Sequence, residues 1–259
     1  MIASTSVVTH TFNQNKNIEH LIKGLIKSKF SDELIIVAMG EEDPQDVLGE
    51  DLPFSTKVFY LQRPCTSLPL AQAKNIGFTM AQGEAVVFID PNHIPTPELF
   101  KSVEELLTMS PRLIVTGECN ELIKRPRKNW SYSSLKDNSQ KVKMNTGVKT
   151  LTNGNFAMLK SLYIEMEGFE ERFLGNSAEI DFFMQTEAKG IKTAVSKETW
   201  TYLIKERSKH QNMDLDKLIE SSALFYSKWG CFPSVESLKA LKRKGLIHLN
   251  EYSGTLERM

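Results

Sequence analysis

Residues Gly83–Phe100 read GEAVVFIDPNHIPTPELF, and this stretch decides the fold class. Ala85 to Ile89 is an unbroken apolar run that ends in Asp90. A run this short, with Gly83 before it and Pro91 after it, has the form of a strand buried on both faces. It delivers a carboxylate to the rim of a sheet. Thr96–Pro97–Glu98 then opens a helix, with a hydroxyl at the cap, proline in the first turn and an acid near the positive helix end.

Working outward, further strands are predicted at Thr5–Thr11 (TSVVTHT), Glu33–Met39 (ELIIVAM), Lys57–Leu61 (KVFYL) and Leu113–Thr116. Between the first two, Ile18, Leu21, Ile22, Leu25 and Ile26 fall at helical spacing. Leu70 to Gln82 reads as a helix with small residues Ala71, Ala73 and Gly77 for close packing, stopped by Gly83. Strands alternating with helices give an α/β architecture with a mostly parallel central sheet flanked by helices. Downstream, a helix capped by Ser177 runs to Lys189 and buries Ile180, Phe183, Met184 and Ala188, with Gly190 as its stop. Strand-like KETWTYLI follows, then two helices, the second ending in Lys242–Arg243–Lys244 and Gly245. The expected organisation is one α/β domain over residues 1–205 and a helical extension over 206–259.

Composition narrows the partners. Lys+Arg and Asp+Glu both total 32, so no global field favours nucleic acid. No window approaches the roughly 18 apolar residues of a membrane span, and the opening MIASTSVVTHTF has no signal-peptide pattern. Cys65, Cys119 and Cys231 are far apart and odd in number, which suits reduced thiols in a cytoplasmic protein and gives no metal spacing. Residues 123–150 carry eight basic side chains against Asp137 alone, with Trp130 among them. Two readings stand. One is a solvated mobile loop, able to touch an anionic membrane peripherally. The other is an acceptor-binding lid facing phosphates, with Trp130 as a stacking platform for a sugar.

Four blocks carry a family resemblance. SVVTHTFNQ resembles the opening strand and Thr–aromatic–Asn turn of family 2 glycosyltransferases. LAQAKNIGFTMAQGE resembles their A-R-N-x-G helix, with Lys74 in place of arginine. GEAVVFIDPNHIPTPELF resembles the strand bearing their D-x-D motif, and GFEERFLGNSAEIDFFMQTEAKG their acid-bearing helix. The C-terminal LIESSALFYSKWGCFPSVESLKALKRKGLI is similar to the tail of bacterial galactosyltransferase-like proteins.

The resemblance implies the GT-A fold and transfer of a sugar from a nucleotide-sugar donor to an acceptor hydroxyl, with inversion. It implies that Thr11, Phe12, Asn13 and Lys74 frame the nucleotide, that Asp90 and Asn92 occupy the D-x-D positions, and that Glu179 is the base with Asp181 the later acid. Mn2+ or Mg2+ is the implied cofactor, held weakly by Asp90 and Asn92, since an amide oxygen brings no charge; the alternative is a metal-free enzyme that neutralises the diphosphate with Lys or Arg of the basic segment. Lone His93 and His210 read first as structural or solvated histidines, with His93 the alternative metal ligand. Asn153–Gly154–Asn155 offers a close backbone approach to a ligand. Ala38–Met39 stands where relatives carry an acidic pair that reads the nucleobase, which leaves the nucleotide open. The acceptor expected by analogy is a glycan or glycolipid of polysaccharide assembly. The alternative is a GT-A-shaped binding or scaffold subunit without catalysis.

Overall fold

The computed structural model describes residues 1–61, 68–142, 154–205 and 214–259. In chain order these form β1 (Thr5–Thr11), α1 (Asn15–Lys27), β2 (Glu33–Ala38), β3 (Ser55–Tyr60), α2 (Leu70–Met80), β4 (Ala85–Ile89), β5 (His93–Pro95), α3 (Pro97–Met109) and β6 (Leu113–Leu122). There follow α4 (Tyr132–Asp137), β7 (Ser139–Lys141), β8 (Asn155–Leu159), α5 (Lys160–Glu165), α6 (Ser177–Ala188), β9 (Lys192–Leu203), α7 (Leu215–Trp229), α8 (Val235–Arg243), β10 (Ile247–Asn250) and β11 (Thr255–Arg258).

The central sheet runs β3-β2-β1-β4-β8-β6-β9-β5, with β7 on β6. Strands β3, β2, β1 and β4 are mutually parallel, as are β6 and β9, while β8 enters antiparallel between β4 and β6. The sheet is therefore mixed. Alternation along each strand feeds two apolar layers. Val7, Leu34, Ile36, Val87 and Ile89 join α1 and α3 on one face, through Ile18, Leu21, Leu99 and Val103. Val8, Ile35, Val37, Val86 and Phe88 join α2, α5 and α6 on the other, through Ala73, Phe78, Leu162 and Phe182. Both faces are covered, so β2 and β4 are apolar almost throughout and buried at every position. Gly77 brings α2 onto β1: a Cβ there would lie 2.3 Å from Val8 Cγ1.

Several details differ from the local sequence signals. Helix α2 stops at Met80, and Gly83 serves a close crossing, where a Cβ would sit 2.4 Å from the Ser6 nitrogen. Thr96 does not cap α3 with its side chain; its hydroxyl donates to the Thr199 carbonyl at 2.7 Å and so ties α3 to β9. The cap of α6 is Asn176, not Ser177. Trp130 is a core residue, not a platform: it is 4% exposed, packs with Ile94, Leu122 and Ile204, and donates to His20 Nδ1 at 3.2 Å. Part of the basic segment is thus folded as α4 and β7. The C-terminal region adds a β10–β11 hairpin to its helices, because Ile247, Leu249 and Leu256 alternate inward onto Phe232 and Leu238. Among the described residues, no helix is long and apolar enough to cross a membrane.

Candidate active site

At the C-terminal ends of β1 and β4 lies a cavity of about 330 Å³, lined by His10, Lys74, Phe88, Asp90, His93, Cys119, Gly154 and Glu179, among others. The carboxyl ends of parallel strands are where open α/β sheets leave room for ligands. Asp90 follows the last residue of β4. Its N–H donates to the Gly154 carbonyl at 2.7 Å, and its Oδ1 accepts the Asn92 N–H at 3.0 Å, closing a tight Asp–Pro–Asn turn. Gly154 has φ +84°, and a Cβ there would lie 2.6 Å from His93 Nε2 and 3.1 Å from Asp90 Cβ. Glycine alone meets both demands at this position.

Glu179 enters from the first turn of α6, and Lys74 from the middle of α2. Lys74 Nζ lies 2.8 Å from Glu179 Oε1, with side chains 4% and 6% exposed. The ammonium also sits over the Phe88 ring, 4.8 Å from its centroid. Lys74 is buried on α2 along with Ala71, Ala73 and Gly77, and it lines the cavity. A buried ion pair of this kind is strongly coupled, since removing either member strands the other charge.

His10 stacks on the same ring, 5.4 Å from Phe88 at an interplanar angle of 9°. It is buried, and its Nδ1 has no hydrogen-bond partner among the described residues. Burial, reinforced by the Lys74 charge, pushes its pKa well below the ordinary imidazole range. The ring is neutral near pH 7. Beside it, a buried polar chain fixes His93. Thr116 Oγ1 donates to the Asn155 carbonyl at 2.8 Å, Asn155 Nδ2 donates to Thr201 Oγ1 at 3.0 Å, and Thr201 Oγ1 lies 2.8 Å from His93 Nδ1. Cys119 Sγ lies 3.7 Å from the same nitrogen. Burial pushes the Cys119 thiol up, but the charge of His93 and hydrogen bonds from His93, Thr201 and the Leu203 backbone outweigh it. The thiol lies below its ordinary range.

The expected site residues separate into two groups. Lys74, Asp90 and Glu179 line one cavity. Asn92 faces elsewhere: its amide oxygen accepts from Gln14 Nε2 at 3.1 Å and Asn17 Nδ2 at 2.6 Å, with Arg125 donating in turn to Asn17 Oδ1. Asp181 is fully buried on another face of α6, where it accepts from Gln185 Nε2 and Trp229 Nε1 and pairs with Lys228 Nζ, each at 2.7 Å. It docks α7 and does not line the cavity. Asn13, at φ 53°, uses its side-chain oxygen to hold the Glu41 and Glu42 N–H groups after β2. Thr11 is buried with its hydroxyl unpartnered among the described residues, and Phe12 is exposed. Ala38 and Met39 are buried in the core. Asn153 lies outside the described residues.

A divalent cation wants several hard oxygen ligands. Asp90 is the carboxylate the motif supplies, and the Asn92 oxygen already accepts two amide donors. Among the described residues, no three His, Cys, Asp or Glu side chains converge as a metal site. This donor set does not fit a tightly held Mn2+ or Mg2+. The residues that sequence reasoning passed over are His10 and Cys119. His10 had a local signal, a histidine near the end of the strand TSVVTHT; Cys119 had none, because its place opposite Thr201 is a long-range strand register.

The sequence profile of glycosyl transferase family 2 matches residues 6–166. Among solved structures, the chain is similar to TarS 1-349 from S. aureus in complex with UDP-GlcNAc, with TM-score 0.65 and 18% identity over 91% of this chain and 69% of that one. It is also similar to GalNAc-T7 with UDP, GalNAc and Mn2+, at TM-score 0.62 and 14% identity over 94% of this chain and 54% of that one. Against the longer TarS chain the TM-score is 0.61 at 18% identity, covering 91% of this chain and 41% of that one. No curated protein matches the sequence. The profile spans more than half of the chain, and the mixed sheet flanked by helices is the architecture of these neighbours. The chain belongs to glycosyl transferase family 2 and is a glycosyltransferase of the GT-A fold.

Proposed function

We propose that this glycosyltransferase moves a sugar from a nucleotide-sugar donor to an acceptor hydroxyl with inversion, and that Glu179 is the base. The observation that carries the reading is the convergence of Asp90, Lys74 and Glu179 on one cavity, although they lie far apart in sequence. Glu179 Oε1 pairs with Lys74 at 2.8 Å, and Oε2 is assigned to the acceptor. In the displacement, the acceptor O–H proton passes to this carboxylate as the oxygen bonds the anomeric carbon. The bond from that carbon to the diphosphate breaks, and a nucleoside diphosphate leaves. Lys74 is the buried cation nearest the base, and charge developing on the diphosphate draws on it. A carboxylate repels a diphosphate, so Asp90 is assigned to ribose hydroxyls, which donate to it.

Neighbours solved with UDP and UDP-GlcNAc make UDP-sugars the first donors to try. The acceptor is proposed to be a glycan or glycolipid of polysaccharide assembly, met in the cytoplasm or at a membrane surface. The fold extends over residues 1–205, with 206–259 as an appended unit. Metal dependence is proposed to be weak, because the Asn92 oxygen is engaged by α1. A panel of UDP-, GDP-, CDP- and dTDP-sugars, with and without Mn2+, tests the reading by nucleoside diphosphate release. Absence of release, transfer and binding across that panel overturns it. The engagement of Asn92 also favours a second reading, a donor-binding subunit without catalysis, which predicts binding without release.

A further inference from the structure

We propose that one face of α1, together with the segment at residues 124–128, docks on a membrane surface rich in anionic lipid phosphates. That this membrane carries the acceptor rests on the function proposed above; the docking itself does not. Lys16, His20, Lys23 and Lys27 recur at helical spacing, so they share one stripe of α1. Trp130 brings the segment against that stripe. Its Nε1 donates to His20, and the ammonium groups of Lys23 and Lys27 lie 5.3 and 5.6 Å from its ring centroid. Lys23 also donates to the Lys128 carbonyl. Exposed Arg125, Arg127 and Lys128 thus join Lys16, Lys23 and Lys27 on one surface.

The chain as a whole has no net charge, so this concentration of cations is local. Glu19 is the acid on these two stretches, and Lys128 pairs with it at 3.6 Å. The other five cations have no acidic partner among the described residues. The indole face offsets part of their repulsion. Burial, and then the charges of Lys27 and Lys128, hold the Lys23 ammonium below its ordinary range. An anion arriving from outside relieves that repulsion. Exposed apolar residues on the same elements choose a membrane over a dissolved polyanion. Ile26 on α1 and Ile123 beside the segment are 43% and 61% exposed. Apolar side chains among lysines suit insertion between lipid headgroups, with each ammonium held near the phosphates. A dissolved polyanion offers the isoleucines nothing. The face also adjoins the cavity: Arg125 donates to Asn17 Oδ1, Asn17 donates to Asn92 Oδ1, and the Asn92 N–H donates to Asp90. A docked chain therefore holds the cavity rim at the lipid surface, where the hydroxyl of a glycolipid head group lies.

The experiment is co-sedimentation of the whole chain with vesicles of phosphatidylcholine, alone or mixed equally with phosphatidylglycerol, without donor or acceptor. Binding is expected to the mixed vesicles and is expected to fade as salt rises. Lys27→Gln combined with Arg127→Gln is expected to weaken it roughly 25-fold, about fivefold for each charge removed. Lys189→Gln combined with Lys192→Gln removes two exposed cations near the other end of β9, where Lys192 pairs with Leu113 of β6, and is expected to change nothing. Ile123→Ser is expected to weaken vesicle binding several-fold and to leave binding of inorganic polyphosphate unchanged. No binding to the mixed vesicles, or equal binding to both kinds, overturns the proposal. An equal loss in both double variants also overturns it, since net charge alone then explains the attraction. So does polyphosphate binding as tight as vesicle binding with no effect of Ile123→Ser, which assigns the face to a dissolved polyanion. Neither donor nor acceptor is present, so the two readings fail separately. An inert donor panel overturns the proposed function and leaves the docking standing, whereas full transfer without vesicle binding does the reverse.

Discussion

Helix α6 carries two buried acids two residues apart, and they face different worlds. Glu179 points into the cavity, where its described ion-pair partner is Lys74. Asp181 points at α7 and is saturated by Gln185, Trp229 and Lys228. An α-helix turns about 100° per residue, so positions i and i+2 lie nearly opposite each other. Chemistry alone does not separate these carboxylates; what packs against each face does. On the cavity side His10 Nδ1 has no hydrogen-bond partner among the described residues, whereas the α7 face leaves Asp181 fully partnered.

The largest expected effect breaks this contrast on the cavity side. Glu179→Gln keeps the shape and a hydrogen-bond acceptor for Lys74 but removes the base. Transfer is expected to fall roughly 10²- to 10⁴-fold, with donor binding largely retained. Undiminished turnover in that variant shows that the base lies elsewhere.

On the α7 side the expected loss is stability. Asp181→Ala strands Trp229 Nε1 and the partly exposed Lys228 ammonium. It is expected to cost about 3 kcal/mol and to lower Tm by roughly 5–10 °C, read by thermal unfolding. Turnover per folded molecule is expected to hold. A variant that stays stable but loses activity would move Asp181 into the site.

A smaller effect comes from pH. His10 titrates lower in the folded chain than the ordinary value near 6.5, so the unfolded chain binds more protons in the window between the two. Stability is therefore complete above about pH 6.5 and is lost as pH falls below it, by about 1.4 kcal/mol per unit for one histidine. His20, depressed mainly by burial and then by Arg125, adds a term of the same sign. Urea unfolding at pH 7.5 and 5.5 measures the slope, and His10→Gln is expected to remove its own share. An unchanged slope in that variant places the sensitivity outside the cavity.

The same contrast marks how far the sequence could be read. Apolar runs such as ELIIVA and AVVFI announce strands covered on both faces, and motif order leads to Asp90, Lys74 and Glu179. NFAML of β8 is an equally apolar run, yet it enters antiparallel, because direction depends on which neighbours it joins. Asn92 and Asp181 were illegible for a related reason. Their partners on α1 and α7 lie 75 to 78 and 47 to 48 residues away in the chain, and local pattern says nothing about which face they cover. Trp130 looked like an exposed ring in a basic loop until His20 and Ile94 closed over it.

The smallest predicted effect sharpens the point at the motif itself. Asn92→Asp restores the second acid in sequence, and if spacing alone made a metal site it would restore Mn2+ binding. The position's oxygen faces Gln14 Nε2 and Asn17 Nδ2, both amide donors, which accept a carboxylate as readily as an amide oxygen. The new charge is therefore expected to stay on α1, near the Arg125 that donates to Asn17. Stability should change by no more than about 1 kcal/mol, and calorimetric Mn2+ affinity should be unaltered. A large gain in Mn2+ affinity would show instead that the side chain swings from α1 to the cavity once it is charged. The turn after β4 would then hold two states, with the amide at position 92 keeping it in one.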